Sequence, residues 1–286
     1  MSRILWKAKS KNKLNSNLYK FEKFISKKFN KKFNKKYEKI LNWTIKNPGK
    51  FWSSVWDFCQ VRGIKSNNKI KKSKKFYKNI FLPNSSLNFA QNLLVKETNT
   101  KAVTFLSENG FREERTWKNL HDSVANLQDF FSKIKVINRD RVAAYTINSI
   151  ETVEAFLATS SIGAIWSSCS PDFGVNGVIE RFKQIKPKIL FITDRYYYNG
   201  KEIDILERVP EILKKIKSIK YLVIINYPGK NFLKKNFKFN KVKVFYWSSL
   251  KKNKTKKIYF KKFDFEHELA ILYSSGTTGK PKCICH

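Results

Sequence analysis

Apolar residues recur along this chain in two rhythms, and the change between them marks its organisation. From Leu18 to Phe58, the residues Phe21, Ile25, Phe29, Phe33, Tyr37 and Leu41 step by four through a lysine-rich background. That step drifts around a helix of about 3.6 residues per turn, so it predicts a helical region that breaks or is buried on two sides. The stretch NPGKFWSSVWDFC predicts a second aromatic helix restarting after a turn at Pro48 and Gly49. Residues 64–78 have no periodicity and read mostly as loop, as do the lysine-decorated stretches 230–241 and 249–263.

Between Lys101 and Ser249 short apolar strands alternate with amphipathic helices. AVTFLSENGFREERTW predicts a hairpin turning at Asn109 and Gly110. Thr116 is placed to cap a helix whose one face carries Trp117, Leu120, Val124, Leu127 and Phe131. DRVAAYTI predicts a strand, and SIETVEAFLATSSIG a helix that Gly163 stops. AIWSSCS, KILFITD, YLVIIN and VKVFYW predict further strands. The alternation predicts an α/β domain with a largely parallel sheet flanked by helices. Ligands of such sheets sit beyond the carboxyl ends of the strands.

Composition supports a globular chain, since 42% of its 286 residues are hydrophobic and 15% aromatic. The net charge of +37 raises the question of a nucleic-acid partner. Only nine of the 59 basic residues are arginine, whereas phosphate and base readers lean on the bidentate arginine fork. The expectation is therefore a solvated lysine surface and no nucleic acid. The basic helical region could also lie on a membrane, against which stands the expectation that it packs onto the protein. No stretch approaches about eighteen apolar residues, and MSRILWKAKS lacks the apolar core of a signal peptide. Cys59, Cys169, Cys283 and Cys285 form no C-x-x-C pair, and CICH reads as a strand with ordinary thiols rather than a metal site. Few, scattered cysteines fit a reducing compartment, so a soluble cytoplasmic chain without a membrane partner is expected.

The chemistry concentrates in ELAILYSSGTTGKPK. An apolar strand, Leu269 to Tyr273, runs into Ser274, Ser275, Gly276, Thr277, Thr278 and Gly279, followed by Lys280 and Lys282. Small residues let backbone N–H groups approach an anion, hydroxyls add donors and lysines add charge, which are the ingredients of a phosphate cradle. It is not a Walker A loop: Gly276 and Gly279 are too close, and Pro281 follows the lysine where Ser or Thr and a helix are required. His121, His267 and His286 pair with no nucleophile motif, and His121 and His267 read as structural.

This loop resembles the phosphate-binding signature of the acyl-adenylate-forming superfamily. Within it, GAIWSSCSPDFG, VIERFKQIKPKILFITD, YNGK, LNFAQNLL and FWSSVWDFC look most like the acetoacetyl-CoA synthetase family, over most of the chain from about Tyr37. The chain departs from the family at Arg139, where a glycine is usual, at Ile147, where a proline is, and at Glu268, where a proline is common. The resemblance implies a helical region over 1–80 like the acetyl-CoA synthetase N-terminal extension. It also implies a partial adenylate-forming, AMP-binding domain over 81–286.

What it implies chemically is ATP-dependent ligation of acetoacetate to coenzyme A, with Mg²⁺ and an acyl-adenylate intermediate; acetate or propionate are the alternative acids, and a truncated, non-catalytic basic binding module is the alternative of another class. Ser274, Ser275, Gly276, Thr277, Thr278, Gly279, Lys280 and Lys282 are the implied ATP-phosphate residues, with Lys280 at a variable position. Gly200 and Lys201 of YNGK are the implied contacts to the phosphorylated ribose of coenzyme A; an ordinary turn with an exposed lysine explains the same segment. The expectation is an N-terminal part of the enzyme, without catalytic or metal-binding residues of its own, inactive alone and dependent on a missing C-terminal part.

Overall fold

The step-of-four run resolves into two helices separated by a turn. In the computed structural model, helix α1 (Asn17–Phe29) starts where the Ser16 hydroxyl accepts the Tyr19 N–H at 3.2 Å, and stops at Asn30 with φ of 49°. The chain restarts as α2 (Tyr37–Lys46), whose buried residues are Ile40 and Trp43. Phe21, Ile25 and Phe33 are buried with them, whereas Tyr37 and Leu41 are exposed, so the run of four ends with the break. Pro48 and Gly49 do not form a turn before α3 (Pro48–Phe58) but lie inside it. A proline at the first helical position gives up an N–H that has no partner there, which is why it is tolerated. Within 64–78, read as loop, Ile70–Lys71 pairs with Ile80–Phe81, and Gly63–Ile64 pairs with Ser86–Leu87.

The structure describes residues 5–67, 69–231, 239, 241–250, 257–274 and 279–286. These fall into two compact units, Met1–Leu87 with Asp264–Glu266, and Asn88–Phe263 with His267–His286. The first holds the helices above.

The second unit opens with a hairpin of β1 (Lys101–Leu106) and β2 (Arg112–Thr116), turning at Gly110 with φ of 78°. Thr116 accepts the Asn119 N–H at 3.1 Å and starts α4 (Trp117–Lys133), which buries Leu120, Val124, Leu127 and Phe131. There follow β3 (Arg141–Tyr145), α5 (Ile150–Ser161), β4 (Ile165–Cys169), α6 (Val175–Ile185) and β5 (Ile189–Thr193). A second hairpin, β6 (Arg195–Tyr198) and β7 (Lys201–Asp204), precedes α7 (Val209–Lys215), β8 (Tyr221–Ile225) and β9 (Lys243–Tyr246). The last pair is β10 (Ile271–Ser274) and β11 (Lys282–Cys285).

Five of these strands form one parallel sheet in the order β9-β8-β5-β3-β4. Its central strands read as continuous apolar runs because both faces are covered: all five residues of β5 are buried. The twofold alternation of a strand sorts them. Val142, Ala144, Phe191 and Val223 pack in one cluster with α4 and α5, and Ala143, Tyr145, Leu190 and Leu222 in another with α6 and α7. Gly163, with φ of 76°, ends α5; a Cβ there would overlap the ring of Phe263.

Arg115 of β2 gathers a carboxylate cluster at α5. Its Nε donates to Glu154 Oε1 at 3.0 Å and its Nη2 to Glu151 Oε1 at 3.3 Å, while Nη1 lies 2.9 Å from Glu113. Burial pushes the Glu154 carboxyl up to about 7; Arg115 holds the rise back and the Glu151 carboxylate adds to it.

Candidate functional site

β10, the strand that leads into the glycine- and threonine-rich segment, lies at the edge of the parallel sheet. Trp166 of β4 donates its N–H to the Leu269 carbonyl at 3.1 Å, and Ser167 Oγ donates to the Ile271 carbonyl at 2.8 Å. These contacts lay β10 alongside β4. β11 returns antiparallel to β10, with Ser274 directly opposite Lys282. Ser274 and Lys282 thus form the two posts of the loop. Ser275, Gly276, Thr277 and Thr278 lie outside the described residues. Gly279 has φ of 103°, and a Cβ there would meet no atom within 4 Å, so glycine is needed for backbone conformation and not for space. Lys280 and Lys282 are exposed.

Both posts are braced from below. Tyr273, just before Ser274, has its hydroxyl 3.0 Å from Ser167 Oγ, and burial pushes its pKa up. The Arg181 guanidinium of α6 lies 4.0 Å from the ring centre of Phe173 and 5.7 Å from that of Tyr273. Gln184, one turn further along α6, donates to the Pro281 carbonyl at 3.0 Å. Sequence reading missed Arg181 and Gln184, whose partners Tyr273 and Pro281 are distant in the chain.

A second feature lies where the strand order reverses. β4 stands on one side of β3 while every later strand of the sheet stands on the other. A cavity of about 290 Å³ opens beyond the carboxyl ends of β3 and β4, lined by residues including Thr146, Asn148, Ser170, Asp172 and Tyr196 to Tyr198. Such a switch point is where open α/β sheets take ligands. The wall is fixed: the Tyr145 hydroxyl donates to the Phe173 carbonyl at 2.6 Å, and Arg208 Nη1 donates to the Pro171 carbonyl at 2.9 Å. Burial pushes the Cys169 thiol at this cavity up to about 12, which keeps it protonated and unreactive.

Gly200 and Lys201 sit at the end of the β6–β7 hairpin, next to Tyr198 in the cavity wall. Asn199 and Gly200 both have positive φ, 50° and 75°, the geometry of a two-residue type I′ turn. The Gly200 N–H donates to Glu108 Oε1 at 2.5 Å. The structure thus brings Gly200 and Lys201 together on one hairpin and Ser274 and Lys282 together on another. The histidines stand apart from both: His267 Nε2 lies 2.9 Å from the Gly163 carbonyl oxygen and stacks on Phe263 at 3.9 Å, while His121 Nδ1 lies 3.7 Å from Glu97. Among the described residues no group of three or more His, Cys, Asp or Glu side chains gathers to hold a metal.

A parallel sheet with a cavity at its switch point and the β10–β11 pair beside its edge strand defines an α/β protein of the open-sheet class. The sequence model of a family described as AMP-binding enzyme matches residues 92–286, and the chain belongs to that family. It is 37% identical to the acetoacetyl-coenzyme A synthetase of Rhizobium meliloti (strain 1021) over 86% of this chain and 37% of that protein. It is 32% identical to malonamoyl-CoA synthetase vrtB of Penicillium aethiopicum over 99% of this chain and 40% of that one. The solved structure of acetoacetyl-CoA synthetase from Streptomyces lividans superposes with a TM-score of 0.89 at 26% identity, covering 99% of this chain and 43% of that one. The chain spans about two fifths of the length of these relatives.

Proposed function

We propose that this chain supplies the ATP-phosphate and coenzyme A contacts of an ATP-dependent acid–thiol ligase acting on acetoacetate. The observation that carries the reading is the pairing of Ser274 with Lys282 across β10 and β11, which brings the two ends of the SSGTTGKPK segment together beside the sheet edge. In the reaction an acetoacetate oxygen attacks the α-phosphorus of ATP, and the bond to the β-phosphate breaks to release pyrophosphate. The coenzyme A sulfur then attacks the acyl carbon, forming the thioester and releasing AMP. The residues of this chain serve the first step by neutralising charge on the departing pyrophosphate. Hydroxyls and N–H groups from Ser274 to Gly279, with the Lys282 ammonium, need no reorganisation when held beforehand. Mg²⁺ accompanies ATP as substrate complex; among the described residues no group of three or more His, Cys, Asp or Glu side chains is arranged to hold it.

Gly200 and Lys201 are proposed as contacts of the coenzyme A ribose phosphate, beside the cavity at the switch point. The malonamoyl-CoA synthetase likeness favours keeping a second reading, in which the acid is another short β-substituted carboxylate. Four cysteines without disulfide partners suit a cytoplasmic setting. ATP–pyrophosphate exchange by the intact protein tests the proposal. We expect acetoacetate to support exchange over acetate, propionate and malonamate. Thr277→Val and Lys282→Ala should each lower the rate about 100-fold, the scale of one lost electrostatic contact. Effects within about threefold would remove the loop assignment; faster exchange with malonamate would transfer the acid assignment to the second reading.

A further inference from the structure

One backbone N–H of the β6–β7 turn, that of Gly200, is already engaged. Gly200 donates it to the carboxylate of Glu108, which projects from the tip of the β1–β2 hairpin. The contact is not a chance approach of two loops. Tyr227 stands between the hairpins, with its ring 6.5 Å from Phe105 of β1 and 5.0 Å from Tyr197 of β6. Phe111 of the first hairpin packs so closely over Gly229 that a Cβ there would overlap its ring. On the second hairpin, Glu202 accepts from Arg195 Nη1 at 2.8 Å and from the Tyr197 hydroxyl, which fixes the strands that carry the turn. The Lys230 ammonium lies 5.6 Å from the Tyr197 ring centre. Glu108 itself forms no ion pair with a described residue: it is exposed, and its carboxylate accepts its hydrogen bond from an uncharged N–H.

We infer that Glu108 sets the affinity of this turn for a phosphate by occupying the Gly200 N–H with its own carboxylate. The inference rests on the assignment of Gly200 and Lys201 to the ribose phosphate of coenzyme A. A carboxylate and a phosphate cannot share one N–H, and both are negative. Phosphate binding therefore requires Glu108 to swing away, and its charge opposes the incoming group even after it has moved. The hairpin contact makes the turn selective, since only a ligand that offers more than one interaction, such as phosphate with both Gly200 and Lys201, displaces the carboxylate. Like charges a few ångströms apart at a surface shift a binding equilibrium by about fivefold.

The test is calorimetric titration of the intact protein with coenzyme A and with 3′-dephospho-coenzyme A, for the parent, Glu108→Gln, Glu108→Ala and Lys201→Ala. The expected result is that both Glu108 variants bind coenzyme A about fivefold tighter while the dephospho form stays within twofold. Lys201→Ala should weaken coenzyme A alone. If Lys201→Ala weakens binding and the Glu108 variants do not tighten it, the inference is wrong and the site assignment stands. Equal tightening of both ligands also overturns it, because the effect would not act on the phosphate. If Lys201→Ala and both Glu108 variants leave coenzyme A unchanged, the site assignment fails and takes the inference with it.

Discussion

Arg139 shows how one residue exposes the history of a position. It stands where the resembling family has glycine, and it holds φ of 65°, the left-handed conformation that glycine adopts without a steric penalty. Its N–H donates to the Gly163 carbonyl at 2.9 Å, which holds the backbone in place. Its Nε lies 3.2 Å from Glu268 Oε2, so two positions that depart from the family pattern meet as a pair. With side chains 62% and 36% exposed, that pair contributes no more than about 0.5 kcal/mol. Arg139→Gly is therefore expected to stabilise the protein by about 0.5–1 kcal/mol, read as a raised melting temperature in calorimetry. A lowered one would mean that the pair with Glu268 outweighs the strain.

At the scale of elements, β2 and α5 are joined by charges buried in the second unit. Burial first, and Glu151 in addition, push the Glu154 carboxyl from 4.5 up to about 7 against the pull of Arg115. A raised carboxyl binds its proton more tightly in the folded state. Its contribution to stability is complete below about pH 4.5 and is lost as pH rises through about 7. Glu154→Gln should remove that slope. The variant should gain on the parent by on the order of 1–3 kcal/mol between pH 5 and pH 8, measured by urea unfolding at each pH. A constant difference across that range would show that Arg115 keeps Glu154 ionised throughout.

The legibility of the elements followed the strength of their patterns. The strands around Val142, Trp166, Phe191, Val223 and Val244 were readable because apolar runs bounded by polar turns leave little choice, and all five enter one parallel sheet. Thr116 and Gly163 were readable because caps are local chemistry. Pro48 was misread because the same residue starts turns and helices, and packing chose between them. The loop posts were legible, but their braces were not: Arg181 and Gln184 act across 92 and 97 residues of chain or more, and no local pattern encodes such a partner. Glu108 was hidden for the same reason, since only the fold places one hairpin tip against another.

For the molecule as a whole, two units with separate cores set the terms of stability. The first rests on a small aromatic cluster around Phe21, Ile25, Phe33, Ile40 and Trp43, and the second on apolar clusters lining both faces of the sheet. Phe21→Ala and Phe191→Ala should each cost about 3–5 kcal/mol, the usual loss for a buried phenylalanine. The first should move only the earlier of two transitions in urea, and the second only the later, followed by tryptophan fluorescence. Equal shifts of a single transition would show that the units unfold together.

The bond from Ser167 to the Ile271 carbonyl joins residues 104 positions apart. On a ribosome adding about 5–20 residues per second, β4 is made roughly 5–20 s before the strand that docks beside it. Because β3, β4 and β5 lie close together in sequence, their sheet can assemble in that interval and present a finished edge. The β10–β11 pair is then not a nucleus of folding but a late addition, docked only after the edge that receives it has been checked by its own packing.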